Sequence, residues 1–216
     1  MKSLLIRGGR ILDPSQGIDL IGDILIEDGR IAWLSKASRA PLPKSCLVLN
    51  AKGMIVAPGF VDIHTHLREP GFEEKETIAT GTLAAARGGF TTICCMPNTN
   101  PPIDNRAVVD YIKGKAEKEG VIRVLPIGCI TRGRKGGELA DLGELAHAGV
   151  MGYSDDGKPV RDSNLMRHAL EYSRTFGLPV IDHCEDTPLT EEGVMNEGWV
   201  ATRLRRRGIP HQAEET

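Results

Sequence analysis

Residues 57–66, Ala-Pro-Gly-Phe-Val-Asp-Ile-His-Thr-His, lie where two sequence patterns meet. The dipeptide Pro58-Gly59 ends a strand-rich region, and the apolar run that follows predicts a strand over Phe60–His64. Side chains of a strand alternate between its two faces, so His64 and His66 leave the strand end on the same side. The stretch therefore predicts two imidazoles together at the carboxyl end of a strand.

Beyond this stretch, apolar runs alternate with helical patterns about every 30 residues, which is the size of one βα unit. The predicted strands are Phe60–His64, Thr91–Met96, Ile122–Ile127, Val150–Tyr153 and Pro179–His183. The predicted helices are Arg106–Glu119 and Asn164–Phe176, the second with Asp162 or Ser163 as its N-cap and Gly177 as its end. The pattern predicts the α/β class and a (β/α)8-type barrel, of which the chain supplies about the first five units.

A doubly wound open sheet is the alternative fold, because it can also use five parallel strands. A glycine-rich nucleotide fingerprint would favour it, but residues 133–137, Gly-Arg-Lys-Gly-Gly, fit neither the G-x-x-x-x-G-K-[ST] nor the G-x-G-x-x-G spacing. We interpret residues 133–137 as a mobile basic surface loop. A closed barrel typically takes about 250 residues, so we expect its remaining strands to lie beyond Thr216.

The part of the chain before residue 57 predicts a small β region. Leu4–Ile11 has the pattern of a strand, and Asp28-Gly29 is a turn signal between two strand patterns in Asp23–Leu34. The strand pattern resumes over Val48–Val56. The sequence therefore predicts a small β-sheet that precedes the βα units.

The composition is that of a folded, nearly neutral protein. The 216 residues include 27 Lys+Arg and 29 Asp+Glu, and 40% are hydrophobic, which argues against a disordered tail or a basic nucleic-acid module. The five cysteines form no C-x-x-C pair, so we expect a reducing compartment. No signal peptide or membrane span is predicted, and the cytoplasm is the expected location. We interpret the Arg203–Arg207 run as a solvated helix face.

Two further groups follow predicted strands. His183 ends the fifth strand, and Ser154-Asp155-Asp156-Gly157 ends the fourth. The carboxyl ends of barrel strands meet at one mouth, so these side chains can reach the histidine pair. Imidazole and carboxylate both bind zinc, and a carboxylate can bridge two divalent ions. A buried core histidine at 183 and an ordinary β-turn at 154–157 are the alternatives.

Four motifs together resemble a known family. They are residues 57–71, Met96-Pro97-Asn98-Thr99-Asn100-Pro101, Tyr153-Ser154-Asp155-Asp156-Gly157 and Asp182-His183-Cys184-Glu185-Asp186. In this order they resemble a class I dihydroorotase of the amidohydrolase superfamily. The resemblance implies a zinc-dependent cyclic amidase that interconverts dihydroorotate and N-carbamoyl-aspartate in pyrimidine synthesis. It also implies two segments, residues 1–56 of a composite β-sandwich and residues 57–216 of the metal-dependent barrel.

The resemblance assigns roles to individual residues. It implies that His64 and His66 hold one metal ion, that His183 serves a second and that Asp156 bridges them, so the site takes one or two zinc ions. Asp155 is the competing choice for the bridge. Arg68 and Asn98 are implied to grip the substrate carboxylate, which suits the donors of guanidinium and amide groups.

The remaining machinery is expected outside the chain. The family supplies a general acid/base aspartate from the last barrel strand and a further metal-binding histidine from the sixth, and both are expected beyond Thr216. No catalytic acid/base is therefore assigned here, and we expect the chain by itself to be inactive. His147, His168 and His211 are interpreted as surface, packing or loop residues.

Two alternative functions remain open at this point. Allantoinases and hydantoinases share the histidine pair but commonly use a carboxylated lysine as the bridge. Some dihydroorotase-like chains are instead non-catalytic scaffolds for aspartate transcarbamoylase, which is therefore a possible partner. The expected ligand is a small molecule, with neither nucleic acid nor membrane as a partner, and a homo-oligomer is expected for the full-length protein.

Overall fold

The computed structural model describes residues 3–36 and 45–215 of the chain. They divide into two compact units, Met1–Gly59 and Phe60–Thr216. Across the described residues, no helix has the length and apolar character needed to cross a membrane.

The first unit is a five-stranded sheet. Its strands are β1 (Ser3–Asp13), β2 (Ile18–Glu27), β3 (Arg30–Ser35), β4 (Cys46–Asn50) and β5 (Ile55–Val56). The order is β3-β2-β1-β4, and β5 also pairs with β1. Neighbours β1, β2 and β3 run antiparallel, whereas β4 and β5 run parallel to β1.

The predicted hairpin is confirmed, because β2 and β3 are joined by Asp28 and Gly29. Both residues have positive φ values, 51° and 74°, as a type I′ turn requires. The predicted strand over Val48–Val56 is wrong in its continuity. A turn closed by the Met54 N–H donating to the Ala51 carbonyl interrupts it, with Gly53 at φ 80°.

The second unit contains a parallel three-stranded sheet covered by helices. Its strands are β6 (Phe60–Thr65), β7 (Phe90–Cys95) and β8 (Arg123–Pro126), in that order across the sheet. The main helices are α1 (Ile78–Arg87), α2 (Arg106–Glu119), α3 (Leu142–Ala148) and α4 (Ser163–Ser173). Three of the predicted strands are thereby confirmed within one or two residues, and the α/β class follows.

The fourth and fifth predicted strands are reduced to single parallel bridges, Gly128 with Tyr153 and Tyr153 with Val180. A regular strand turns every second residue toward the same neighbour. Here the N–H groups of Met151 and Ser154, three positions apart, donate to the preceding segment. This irregular spacing bends the segment, so the predicted ladder over Val150–Tyr153 does not form.

The helix predictions are confirmed in position. Helix α2 has the predicted bounds, and the predicted helix Asn164–Phe176 is α4 followed by a 3-10 turn over Arg174–Phe176. Gly177 ends it with φ 65°. The N-cap is Asp162, whose carboxylate accepts the N–H groups of Asn164 and Leu165.

A continuous apolar core fills the space between this sheet and its helices. It includes Ile93 of β7, Val109 and Ile112 of α2, Leu145 of α3 and the fully buried Tyr153. The Tyr153 hydroxyl donates to the Leu142 carbonyl at 2.7 Å. This contact fixes the irregular segment before residue 154 against α3.

The distal part of the unit is built from short elements. They are α5 (Thr187–Thr190), β9 (Met195–Asn196), α6 (Trp199–Leu204), β10 (Gly208–Ile209) and a 3-10 turn over His211–Glu214. The interpretation of Arg203–Arg207 as one helix face is wrong, since α6 ends at Leu204. Arg205 takes the left-handed conformation, φ 52°, that terminates the helix.

Replacing Asp162 by Ala should lower the free energy of unfolding by about 1 kcal/mol, because two N–H groups of the first turn lose their acceptor. Ser163→Ala is the matched control, since its hydroxyl is exposed and makes no capping bond. Urea unfolding followed by circular dichroism measures both. A larger loss for Ser163→Ala than for Asp162→Ala would contradict the assignment.

Candidate metal centre

The two histidines of the opening stretch converge as predicted. His64 lies in β6 and His66 immediately follows it, with their ring centroids 5.3 Å apart in an edge-to-face arrangement. The His64 N–H donates to the Asp62 carboxylate at 3.0 Å, and the Thr65 hydroxyl donates to the Cys94 carbonyl of β7 at 2.8 Å. These local bonds fix the backbone that carries both rings.

Asp156 completes a cluster with the histidine pair. Its Oδ1 lies 3.0 Å from His64 Nε2, and its Oδ2 lies 3.9 Å from His66 Nδ1. One ligand atom of each residue falls within 4.8 Å of the others. The Asp156 side chain is only 7% exposed, whereas the His64 ring is 47% exposed. The donors therefore face a common point that solvent can reach, and two imidazoles with one carboxylate suit zinc.

Asn98 joins the same cluster from the end of β7. Its Nδ2 donates to Asp156 Oδ2 at 2.7 Å, and its Oδ1 lies 3.1 Å from His66 Nδ1. The Asn98 amide thus contacts both His66 and Asp156. The residue predicted to contact substrate therefore also orients two candidate metal ligands.

The neighbouring aspartate has a different environment. Asp155 is buried, and its carboxylate accepts the N–H groups of Ile130 and Thr131 at 2.9 and 3.0 Å and the Thr131 hydroxyl. Burial raises the pKa of the Asp155 carboxyl, although the bonds from Thr131 and Ile130 oppose this. Its oxygens are thus occupied, and Asp156 is the aspartate that faces the histidines.

His183 lies outside this cluster. Within residues 3–36 and 45–215, the only group of three ligand-type side chains is His64, His66 and Asp156. The His183 Nε2 instead lies 3.0 Å from Glu185 Oε2. A hydrogen bond from Thr190 and then the contact with His183 lower the pKa of Glu185. A role for His183 in binding a second metal ion stays a prediction.

Arg68 follows the histidine pair in a loop that Glu69 anchors to α1 and α2. Its φ of 62° is left-handed, and across the described part of the chain its guanidinium has no hydrogen-bond partner. The next residue, Glu69, is 4% exposed and accepts the Ile78 N–H at 2.9 Å. Glu69 Oε1 also lies 3.1 Å from Lys115 Nζ and accepts the Tyr111 hydroxyl at 3.2 Å. Arg68 is therefore half-buried on an anchored loop with its charge available.

Sequence reasoning missed the role of Arg134. It lies in the glycine-rich segment 133–137, yet its Nε donates to the Asp155 carbonyl at 2.9 Å and its terminal nitrogen donates to the Asp156 carbonyl. The segment is a surface loop as predicted, with Lys135 and Gly137 exposed, but Arg134 binds it to the backbone of the segment that carries Asp156. Nothing local to the segment signals a contact with residues more than 20 positions away.

Comparison with known proteins agrees with this geometry. Residues 53–216 match the family described as dihydro-orotase-like. The dihydroorotase of Geobacter sulfurreducens is 55% identical over 213 residues, which is 99% of this chain and 50% of that protein. The dihydroorotase of Acetivibrio thermocellus is 52% identical over 212 residues, 98% of this chain and 49% of that protein. The chain thus spans about half the length of the curated relatives it matches.

Solved structures resemble the fold. The L-hydantoinase (dihydropyrimidinase) of Arthrobacter aurescens superposes with a TM-score of 0.73 at 21% identity, covering 87% of this chain and 42% of that one. The D-hydantoinase of a Thermus species superposes with a TM-score of 0.68 at 26% identity, covering 87% and 41%.

The parallel βα units define an α/β protein with the fold of the hydantoinase-type amidohydrolases. His64, His66 and Asp156 give it a candidate metal centre. Within that class, the match over residues 53–216 and the identity to curated relatives are decisive. The chain belongs to the dihydroorotase-like family.

Substituting Gly71 should disturb the loops that carry Arg68 and Asn98. Gly71 has φ 98°, and a Cβ there would lie 2.2 Å from the Asn100 carbonyl oxygen. Gly71→Ala should therefore lower the free energy of unfolding by about 2 kcal/mol or more, from strain plus a backbone clash.

Gly177→Ala is the control for strain alone, since Gly177 has φ 65° and open space around it. It should cost about 1 kcal/mol. Denaturant unfolding of both variants measures the difference, and equal losses would show that the contact with Asn100 is unimportant.

Proposed function

We propose that the complete protein is a dihydroorotase. It would catalyse the zinc-dependent, reversible hydrolysis of the cyclic amide of (S)-dihydroorotate to N-carbamoyl-L-aspartate in de novo pyrimidine biosynthesis. The observation that carries the proposal is identity above 50% to curated dihydroorotases across 99% of the chain. The cluster of His64, His66 and Asp156 supports it, because that chemistry needs a metal centre.

The proposal includes the finer architecture. Residues 57–216 would contribute the first five βα units of a (β/α)8 barrel, and residues 1–56 would contribute part of a β-sandwich. The parallel order of β6, β7 and β8, continued by bridges to Tyr153 and Val180, supports this assignment. The other units would come from the half of the relatives' length that this chain does not match.

In this protein, His64, His66 and Asp156 would hold zinc, with His183 serving a second ion. Zinc held there would polarise the amide carbonyl and activate water for attack. The His64 ring is 47% exposed, which would let substrate and water reach the centre, and the buried Asp156 carboxylate would supply negative charge toward a cation.

Arg68 and Asn98 would bind the substrate carboxylate. The guanidinium of Arg68 offers a planar pair of donors, which suits bidentate recognition of a carboxylate. Asn98 already donates to Asp156, so its amide would link the substrate position to the metal ligands. The general acid/base aspartate would come from the unmatched half of the relatives' length.

Hydantoinase activity is the competing enzymatic function, and it is favoured only by the fold. The solved hydantoinases are 21% and 26% identical to the chain, far below the curated dihydroorotases. Fold similarity at that level does not assign a substrate. The direct carboxylate of Asp156 in the cluster favours the dihydroorotase.

Cellular context follows from the same proposal. A role in pyrimidine synthesis would place the protein in the cytoplasm. We also propose that the complete protein is a homo-oligomer and that aspartate transcarbamoylase is a candidate partner. The His-His-Asp cluster argues against a purely structural scaffold, which has no physical need for converging metal ligands.

Asp156→Asn in the protein expressed from its complete open reading frame should lower kcat/KM for dihydroorotate by about 100-fold or more, because the amide carries no charge to hold the cation. Asp110→Asn is the matched control, since Asp110 is exposed and pairs with Arg106 on α2. Turnover is measured as the loss of the ultraviolet absorbance of dihydroorotate, because the open product lacks the cyclic acyl-urea chromophore. Equal activity of the two variants would overturn the assigned role of Asp156.

A substrate panel separates the proposed reaction from its competitors. Dihydroorotate should be the preferred substrate over hydantoin and allantoin, and removal of metal by a chelator should abolish turnover that zinc then restores. Preference for hydantoin would replace the proposed function. Purified protein without bound metal and without turnover would favour the scaffold.

A further inference from the structure

The Arg134 guanidinium binds the backbone of the segment that carries Asp156. Arg134 donates from Nε to the Asp155 carbonyl at 2.9 Å and from a terminal nitrogen to the Asp156 carbonyl. One planar guanidinium thus binds two consecutive carbonyls, which fixes the orientation of the backbone at Asp156. A single-point donor could not do this.

The loop that carries Arg134 is itself rigidly built. Thr131 and Leu139 form an antiparallel bridge that closes the loop. Inside it, the Gly133 N–H donates to Asp104 Oδ2 at 2.9 Å, and the Gly136 N–H donates to the Thr131 hydroxyl at 3.0 Å. Arg134 takes a left-handed φ of 56°, which such surroundings maintain. The guanidinium is therefore preorganised.

The same short segment is held from its other side. The Asp155 carboxylate accepts from the Ile130 and Thr131 N–H groups, and the Asp156 N–H donates to the Ser154 hydroxyl at 3.1 Å. Side-chain bonds and main-chain bonds together leave the Asp156 carboxylate directed at His64. The segment 154–156 is thus held by two sets of bonds, those of its own side chains and those from Arg134.

The bonds of Arg134 leave the candidate ligand free. Both bonds go to main-chain carbonyls, so the Arg134 guanidinium does not occupy the Asp156 carboxylate oxygens that face the histidines.

We propose that Arg134 is a positioning residue of the metal centre, which sets the Asp156 carboxylate by clamping the carbonyls of Asp155 and Asp156. This inference rests on the proposed function, since it concerns the metal site of that function. Its consequence is that metal affinity depends on a residue that touches neither metal nor substrate.

The test measures zinc affinity of the metal-free, full-length protein by competition with a chromophoric chelator. Arg134→Met should weaken zinc binding about 10- to 100-fold, as loss of an outer-shell partner does. Arg134→Lys keeps the charge but cannot span both carbonyls, so its affinity should fall between those of Arg134→Met and the wild type.

Arg132→Met is the matched control on the same loop. Arg132 pairs with Glu138, and both side chains are 66% exposed, so the variant removes the same charge without touching the clamp. It should bind zinc like the wild type. Cobalt(II) absorption spectra provide a second readout, because a displaced Asp156 should change the ligand-field bands of Arg134→Met and leave those of Arg132→Met unchanged.

The outcomes separate this inference from the proposed function. If the wild type binds zinc and both Arg134 variants bind it with the same affinity and the same cobalt spectrum, the positioning role is overturned. The proposed function is then left intact. A wild type that binds no zinc would overturn the proposed function and this inference with it. If Arg134→Met does not fold, Arg134→Lys decides: reduced affinity at unchanged metal-free thermal stability supports the clamp, and wild-type affinity overturns it.

Discussion

One buried carboxylate organises the candidate centre. Asp156 meets His64 at 3.0 Å and accepts the Asn98 amide at 2.7 Å, so groups that follow β6 and β7 share its two oxygens. A carboxylate that is withdrawn from water needs compensating donors or a cation, since an uncompensated buried charge is costly. Parallel strands satisfy this need, because their carboxyl ends lie at the same edge of the sheet.

The surrounding loops hold that arrangement through main-chain contacts. Glu69 fixes the loop after the histidines to helices α1 and α2, and Gly71 allows the Asn100 backbone to approach it closely. Asp155 and Arg134 hold the peptide before and at Asp156. These contacts surround a cluster whose His64 ring is exposed, and support of this kind is typical of preorganised sites.

Fold and family carry different information here. Hydantoinases share the architecture at 21% to 26% identity, whereas the curated dihydroorotases share more than half of the residues over nearly the whole chain. Function resides in side chains placed on a common scaffold. The chain matches about half the length of those relatives.

The sequence by itself determined what depends on near neighbours. Strand alternation sets His64 and His66 on one side, and local capping sets the bounds of α2. The motif resemblance favoured Asp156 but left Asp155 open, and the tertiary structure shows that Asp156 faces the histidines. Only the tertiary structure shows that Arg134 binds this segment. It also reduced the fourth and fifth strands to bridges. The reason is range: alternation and caps act within a few residues, whereas Asn98 and Asp156 meet across 58 positions, where only packing of the whole unit fixes which side chain arrives.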